Sequence, residues 1–344
     1  MSRSIWLGAA VVLIATWMLT GLVRRLALSH GVMDIPNERS SHTTATPRGG
    51  GLAMVVVSSI AFAVLALTGA MSVSLAVALL AGGGAVATIG FLDDRRPLPA
   101  RLRLAVHIAA AVWAVAWLGG LPAIRVGDAV YSLGWSGAVL AVLGIVWSLN
   151  LFNFMDGIDG IAGTEAAFVS GAAALLGMSA AHVGISPAAA LFCAAACGFL
   201  LWNWPPARIF MGDVGSGYLG FVIAVLAMAA MADDPAALWV WLILGGVFFV
   251  DATVTLVRRT LRGDRVYEAH RSHAYQWLAR RWGQHLQVTL AVLTVNVLWL
   301  LPAAWLASRY PGRALWAVLA AYLPLIILVL AAGAGKAEQA VSRK

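Results

Sequence analysis

The chain has 344 residues, of which 61% are hydrophobic and only 11% are charged, and its mean hydropathy is +0.87. A soluble domain carries about a quarter charged residues, so this composition excludes an ordinary soluble protein. The net charge of +8 could indicate a nucleic-acid-binding protein, but the basic residues lie in short loops between apolar runs, where they orient membrane spans and contact anionic lipid. The composition therefore predicts an all-α, polytopic integral membrane protein that contacts membrane lipids and binds no nucleic acid.

Eleven apolar runs are long enough to form membrane-spanning helices. They lie near residues 5–23, 51–69, 72–91, 104–119, 136–149, 161–180, 187–203, 216–232, 236–257, 287–307 and 313–333. The first run has no small-residue cleavage motif before its basic flank, so we interpret it as a retained span and not as a signal peptide. Between the fourth and fifth runs, alternating residues and turn formers over 120–135 predict a short hairpin.

The positions of the charged residues predict the orientation of the spans. With the N-terminus outside, the basic residues lie in inside loops, and the exceptions are Arg3, Arg125, Arg309 and Arg313. The positive-inside rule therefore predicts an outside N-terminus and a cytoplasmic C-terminus. Three acidic residues then fall outside, namely Asp128, Asp233 and Asp234. We expect a single transmembrane domain over residues 1–344 with its chemistry on the cytoplasmic face.

Unusual polar clusters occur in five inside loops, near 24–50, 92–103, 150–163, 203–216 and 258–287. The first loop ends with Arg48 and three glycines directly before a span, a pattern that suits a phosphate at a helix N-terminus and a close approach of the backbone. The second loop has Asp93 and Asp94 at the end of a span. Neighbouring carboxylates on a helix point in different directions, so we expect no more than one of them to bind a given metal ion. The alternative is an acid pair neutralised by the two arginines that follow it.

The third loop, NLFNFMDGIDGIAG over 150–163, places ionisable groups among apolar residues, which is costly unless they face protein, water or a ligand. Four polar residues there are spaced three apart: Asn150, Asn153, Asp156 and Asp159. If the segment is helical, they share one face, and the intervening glycines thin the helix for close approach. Such a face, with no cation in its own loop, predicts a bound cation or a hydrogen-bonding ligand.

The fourth and fifth loops contain candidate groups for a metal–phosphate site. Asp213 lies in a glycine-rich turn at the start of a span, where its carboxylate can reach a Mg²⁺ ion that already holds phosphate oxygens. In the fifth loop His270 and His273 flank Arg271. No third ligand at metal spacing completes a zinc set, so we interpret these three residues as donors to a pyrophosphate.

Together the five loops resemble the polyprenyl-phosphate N-acetylhexosaminyl 1-phosphate transferases, a family of membrane enzymes. The segments DIPNERSSH and HRSHAYQ are most similar to its O-antigen-initiating branch. The matching residues are Pro47, Arg48, Gly49, Gly50, Asp93, Asp94, Asn150, Asn153, Asp156, Gly157, Asp159, Gly160, Phe210, Met211, Gly212, Asp213, Gly215, Ser216, His270 and His273.

The resemblance implies that a UDP-sugar donates its sugar 1-phosphate to undecaprenyl phosphate, releasing UMP, at the cytoplasmic face of the bacterial inner membrane. Mg²⁺ is the implied cofactor, with Mn²⁺ as an alternative, and the sequence leaves a homo-oligomer open. The implied metal ligands are Asp213 and Asn153. The implied catalytic residues are Asp93, Asp94, Asp156 and Asp159. The implied substrate-binding residues are Arg48, Asn150, Asn153, His270, Arg271 and His273.

The sequence departs from the family pattern at two places. Many members have a lysine near the position of Ser40, so a needed cation would have to come from Arg39, Arg48 or Arg95. The sequence HRSH differs from the three consecutive histidines of the muramoyl-pentapeptide branch, which counts against peptidoglycan synthesis. An alternative from another class is a secondary transporter of an anionic solute, which would need polar residues on broken helices near the middle of the membrane.

Overall fold

A computed structural model describes residues 3–36, 44–179, 185–264 and 270–337, most of which are helical. Arg39 and Ser40 of the first predicted loop, and residues 265–269 of the fifth, lie outside the described residues. Two short antiparallel pairs accompany the helices: β1 (Met33–Asp34) with β2 (Thr46–Pro47), and β3 (Ile124–Val126) with β4 (Ala129–Tyr131). The second pair confirms the hairpin predicted over 120–135.

The described residues contain fifteen α-helices. They are α1 (Arg3–Ser29), α2 (Gly51–Leu67), α3 (Val73–Val77), α4 (Gly83–Arg95), α5 (Ala100–Trp117), α6 (Gly134–Met155), α7 (Ile161–Ser179), α8 (Ile185–Asn203), α9 (Asp213–Asp233), α10 (Ala237–Leu244), α11 (Gly246–Leu261), α12 (Ala274–Trp282), α13 (His285–Val295), α14 (Leu301–Arg309) and α15 (Ala314–Ala332). A π-helical turn, Ala78–Gly82, joins α3 to α4, and a second, Asn296–Leu300, joins α13 to α14.

Each of the eleven predicted runs coincides with a helix or with a broken helix. Among the described residues, eight helical segments are long and apolar enough to cross a membrane. A ninth candidate is the pair α10 and α11, which bends by 76°, while Gly51–Leu67 and Ile161–Gly177 are shorter apolar helices. The prediction of a helical, multi-pass membrane protein is confirmed, whereas the count of eleven spans and the orientation of the termini stay predictions.

Helix α9 is the central helix of the bundle, and most of its side chains are buried against α2, α4, α6 and α8. Its closest neighbours approach through glycines, as small residues allow between membrane helices. A Cβ at Gly220 would lie 2.7 Å from the carbonyl carbon of Ser148 on α6, and one at Gly90 on α4 would lie 2.7 Å from Val214 N. This packing brings the first residue of α9 against the last turn of α4.

The third predicted loop is only partly helical. Helix α6 ends before Asp156, which has φ −85° and ψ 53°, and Gly160 has φ 75°. Asn150 and Asn153 lie on the helix, but Asp156 and Asp159 lie beyond it. The prediction that the four residues share one helix face is therefore wrong, because the glycine-rich turn ends the helix after two of them.

Candidate active site

A cluster of three carboxylates and two guanidinium groups lies where α4, α5 and α9 meet, and we call it the aspartate–arginine cluster. Its members are Arg48, Asp93, Asp94, Arg103 and Asp213. Arg48 joins two helices, since its Nε donates to Asp94 Oδ1 at 2.8 Å and its Nη2 donates to Asp213 Oδ1 at 2.9 Å. The predicted phosphate-binding arginine thus lies beside two of the predicted acidic residues.

Arg103, near the start of α5, forms a second bridge across the cluster. Its Nη1 lies 2.5 Å from Asp93 Oδ2 and 3.3 Å from Asp213 Oδ2. From the sequence, Arg103 was assigned only to the positively charged inside loops. Arg103 follows Asp93 by ten residues, and a short turn between two antiparallel helices brings their adjoining ends together. This spacing could have indicated the contact between the two residues.

The two adjacent aspartates of α4 point in different directions, as expected for neighbours on a helix. Asp94 accepts hydrogen bonds from Asp213 N at 2.9 Å and Val214 N at 3.1 Å, so it caps the positive end of α9. Asp93 accepts one from Leu98 N at 2.6 Å. The N–H groups at the start of α9, which could have held a phosphate, donate to Asp94 instead.

Backbone contacts between the first and fourth loops place Arg48 in the cluster. Phe210 N donates to Pro47 O at 2.8 Å, and Gly50 N donates back to Phe210 O at 2.9 Å. A Cβ at Gly51 would lie 2.8 Å from Gly215 N. The glycines after Arg48 therefore allow close backbone approach, as predicted, and the approaching backbone is that of the fourth loop.

Asn153 and Asp156 face the cluster from the end of α6. Asn153 Nδ2 donates to Ser216 Oγ on α9 at 3.1 Å, whereas Asn150 Nδ2 donates to Val146 O of its own helix at 2.7 Å. Burial, followed by the negative charge of Asp213, raises the pKa of Asp156 to about 7. Asp156 is thus a carboxyl group whose charge is sensitive to what binds beside it.

Asp159 links three parts of the chain. Its Oδ2 accepts from Ala207 N at 3.0 Å, its Oδ1 lies 3.2 Å from His285 Nδ1, and its carbonyl oxygen accepts from Thr289 Oγ1 at 2.9 Å. These contacts tie the third loop to the fourth loop and to α13. They support a role in holding the loops, while the catalytic role of Asp159 stays a prediction.

The two histidines of the fifth loop form an aromatic group with Phe154. The ring centroids of His270 and His273 are 4.8 Å apart, and those of His273 and Phe154 are 6.3 Å apart. Tyr275 Oη donates to Phe154 O at 2.9 Å, which ties this loop to the third loop. Burial, helped by His273, lowers the pKa of His270 to about 3, so its ring is neutral near pH 7 and offers a hydrogen bond but no charge to a phosphate.

Asp251, on α11, positions the fifth loop and was not identified from the sequence. Its buried carboxylate accepts from Ala274 N at 2.8 Å, from Tyr275 N at 3.1 Å and from Thr255 Oγ1 at 3.1 Å. It therefore caps α12, whose N-terminus follows His273. An aspartate in an apolar run is by itself a signal for a functional site, and Asp251 lies in such a run and not in a loop.

The donor atoms of the cluster fit a Mg²⁺ ion that substrate helps to hold. Among the described residues, no three His, Cys, Asp or Glu side chains are placed to hold a metal ion together. Mg²⁺ usually binds one or two carboxylates with water and substrate phosphates. Asp213, whose side chain is 21% exposed, supplies such a carboxylate, so the residues fit this kind of site and not an all-protein cage.

Comparison with known proteins gives consistent matches along the chain. Residues 75–231 match the profile of the family described as Glycosyl transferase family 4. A probable undecaprenyl-phosphate N-acetylglucosaminyl 1-phosphate transferase of Bacillus subtilis is 28% identical over 87% of this chain and 84% of its own length. A decaprenyl-phosphate N-acetylglucosaminephosphotransferase of Mycobacterium tuberculosis is 33% identical over 84% of this chain and 79% of its own length. A phospho-N-acetylmuramoyl-pentapeptide-transferase of Synechococcus elongatus is 31% identical over 73% of this chain and 71% of its own length.

Proposed function

The chain belongs to glycosyl transferase family 4, and from this premise we propose that it transfers a sugar 1-phosphate from a UDP-sugar to polyprenyl phosphate. A phosphorus–oxygen bond forms between the acceptor phosphate and the sugar-linked phosphorus, and the bond from that phosphorus to the UMP phosphate breaks. The products are a lipid-pyrophosphate-linked sugar and UMP. The aspartate–arginine cluster carries the proposal, because it gathers cationic and metal-binding groups at one end of a membrane bundle.

The charges of the cluster suit a reaction between two anions. An acceptor phosphate and a diphosphate repel each other, and positioned cations offset this repulsion. Arg48 and Arg103 would bind phosphate oxygens, and Asp213, with Asn153, would hold Mg²⁺. When bound, this ion neutralises charge that develops on the phosphate oxygens. The acceptor phosphate is already ionised near pH 7, so Asp93 and Asp94 are needed to orient the arginines and α9, not to remove a proton.

An apolar cavity of about 370 Å³ between α6, α9 and α10 supports a prenyl chain as part of the acceptor. Its lining includes Ile145 and Ser148 of α6, Ile223 of α9 and Trp241 of α10. The cavity extends from Leu121 and Ile124, beside the hairpin, to Ser148, which precedes Asn150 by two residues on α6. A prenyl phosphate lying there would have its chain among apolar side chains and its phosphate near the third loop.

We propose O-antigen or a related cell-envelope glycan as the destination of the sugar. The HRSH sequence of the fifth loop, at His270 to His273, favours this branch over a phospho-muramoyl-pentapeptide transferase. Two of the relatives are named for N-acetylglucosamine, so UDP-N-acetylglucosamine is the first donor to test. The active end of the bundle would face the cytoplasm, where the basic loops lie.

The decisive experiment measures UMP release by the purified full chain in lipid with Mg²⁺, polyprenyl phosphate and a panel of UDP-sugars, including UDP-muramoyl-pentapeptide. Formation of the lipid-linked sugar is confirmed by mass spectrometry. Asp213→Asn should lose nearly all turnover, whereas Asp128→Asn, in the hairpin at the opposite end of α6, should keep it. No UMP with any donor would refute transferase function. Uptake of an anionic solute without UMP would instead support a transporter.

A further inference from the structure

Both carboxylate oxygens of Asp213 carry a guanidinium contact, and the two contacts differ in strength. Arg48 Nη2 donates to Oδ1 at 2.9 Å, whereas Arg103 Nη1 lies 3.3 Å from Oδ2. The same Nη1 of Arg103 is only 2.5 Å from Asp93 Oδ2. A charged hydrogen bond is strongest at about 2.7–2.9 Å, so the contact of Arg103 with Asp213 is the weakest of the four bridges in the cluster.

The anchoring of the two arginines decides which of them can move. The guanidinium group of Arg48 is held by both Asp94 and Asp213. Asp94 is itself fixed by the first N–H groups of α9 and is only 4% exposed. The two guanidinium groups are about equally exposed, at 32% for Arg48 and 34% for Arg103, but Arg103 keeps Asp93 as a close anchor if it leaves the longer contact with Asp213. A guanidinium group has five N–H donors, and turning about that anchor would present the others to a new acceptor.

We infer that Arg103 occupies Asp213 Oδ2 in competition with the divalent cation and moves to a donor phosphate when the cation binds. The inference rests on the proposed function, and it concerns how the metal ion and the nucleotide sugar depend on each other. It assigns to Arg103 two opposite effects, a lower affinity for the metal ion alone and a stronger hold on the diphosphate.

The charge of the cluster supports the exchange. With all groups ionised, its three carboxylates and two guanidinium groups leave one excess negative charge, which attracts a cation. The cation and Arg103 cannot both contact Oδ2 without strong mutual repulsion at that distance. A diphosphate supplies the acceptors that Arg103 needs on leaving. Metal ion and donor should therefore bind with positive coupling, each favouring the arrangement that the other requires.

The test measures Mn²⁺ binding to the purified full chain by the decrease in the electron paramagnetic resonance signal of free Mn²⁺. No acceptor lipid is present, so no turnover occurs. Without donor, Arg103→Gln should bind Mn²⁺ about tenfold more tightly than the unaltered chain, because a competing unit charge is removed. UDP-N-acetylglucosamine should tighten Mn²⁺ binding in the unaltered chain and much less in Arg103→Gln.

Arg101→Gln is the matched control, because it removes the same charge from an exposed position two residues earlier on α5. Its Mn²⁺ affinity should equal that of the unaltered chain, and an equal gain in both variants would overturn the inference by showing a general surface effect. Unchanged or weaker binding by Arg103→Gln would also overturn it. If that variant does not fold, Arg103→Lys, which keeps the charge, should stay within about twofold of the unaltered chain, and a tenfold gain there would contradict the exchange.

The outcomes for this inference and for the proposed function are separate. A chain that binds Mn²⁺ with the expected pattern but releases no UMP would refute the transferase proposal and leave the exchange intact. A chain that releases UMP while Arg103→Gln shows no gain in Mn²⁺ affinity would refute the exchange alone. No Mn²⁺ binding by the unaltered chain or by Arg103→Gln, with or without donor, would overturn the exchange.

Discussion

Gly90 is a position where one added methyl group should damage the site through the backbone at the start of α9. A Cβ there would lie 2.5 Å from the carbonyl carbon of Asp213 and 2.7 Å from Val214 N, whereas ordinary contact begins at 3.4 Å. Both neighbours are backbone atoms at the start of α9, so neither can rotate away. The carbonyl oxygen of Asp213 would lie closer still, so Gly90→Ala must push α4 and α9 apart by at least about 0.9 Å, the difference between 3.4 and 2.5 Å.

The displacement acts on the bonds that hold the cluster. Asp94, one helical turn after Gly90, accepts from Asp213 N at 2.9 Å and from Val214 N at 3.1 Å. A shift of this size would stretch both beyond hydrogen-bonding distance. Misplacing reacting groups by about 1 Å can cost about a hundredfold in rate, and we expect a loss of that order for Gly90→Ala.

The assay compares UMP release and the thermal midpoint of Gly90→Ala with those of Gly84→Ala. Gly84 lies on the same helix, and a Cβ there would have nothing within 4 Å, so alanine should add about 0.5–1 kcal/mol of stability and leave the rate unchanged. A normal rate for Gly90→Ala would refute the close contact between α4 and α9. Equal losses in both variants would show that the effect belongs to the helix and not to the cluster.

Three other substitutions test how the loops are held. Asp251→Ala leaves two N–H groups of α12 without their acceptor, at about 1–3 kcal/mol each, so the thermal midpoint should fall and the KM for the UDP-sugar should rise. Asn203→Ala removes bonds with Gly160 N and Ile209 O, both 3.0 Å, and should lower the thermal midpoint. Asp156→Asn should raise the midpoint more at about pH 8 than at about pH 5, because the folded protein favours the protonated carboxyl and loses stability as the pH rises through about 7.

The controls for these substitutions use the conservative change at the same position. Asp251→Asn keeps one acceptor oxygen and should fall between the unaltered chain and the alanine variant, and an unchanged KM in all three would contradict the positioning role. Asn203→Asp keeps the acceptor for Gly160 N but places a buried carboxylate oxygen against Ile209 O, so it should lower the midpoint at least as much as alanine does. For Asp156→Asn, equal shifts at both pH values would contradict a raised pKa in the folded state.

Most of the site was predictable as a set of residues but not as a set of contacts. Arg48, Asp94 and Asp213 were chosen because charged groups beside membrane spans are costly without a function. Their contacts join positions 119 and 165 residues apart in the chain, and such partners have no local signature. Arg103 was overlooked for this reason, since nothing in its local sequence separates it from arginines that only orient a span.

The third loop shows the limit of periodicity as a guide. A spacing of three residues suggested one helix face, yet the glycine-rich turn ends α6 before Asp156. The two aspartates consequently have separate environments, with Asp156 beside the cluster and Asp159 bonded to Ala207 N and near His285. Spacing indicates a shared face only where the backbone stays helical, and glycine lowers the cost of leaving the helix.

The sequence by itself determined that this is a helical membrane protein, where its apolar runs lie and which charged residues to suspect. These properties follow from hydropathy and residue type, which act locally along the chain. Only the tertiary structure decided that Asp94 caps α9, that Arg103 shares Asp213 with Arg48, and that Asp251 positions the histidine loop. These contacts depend on how closely the helices approach one another, and between α4 and α9 that distance is set by Gly90, whose effect appears only once the helices are packed.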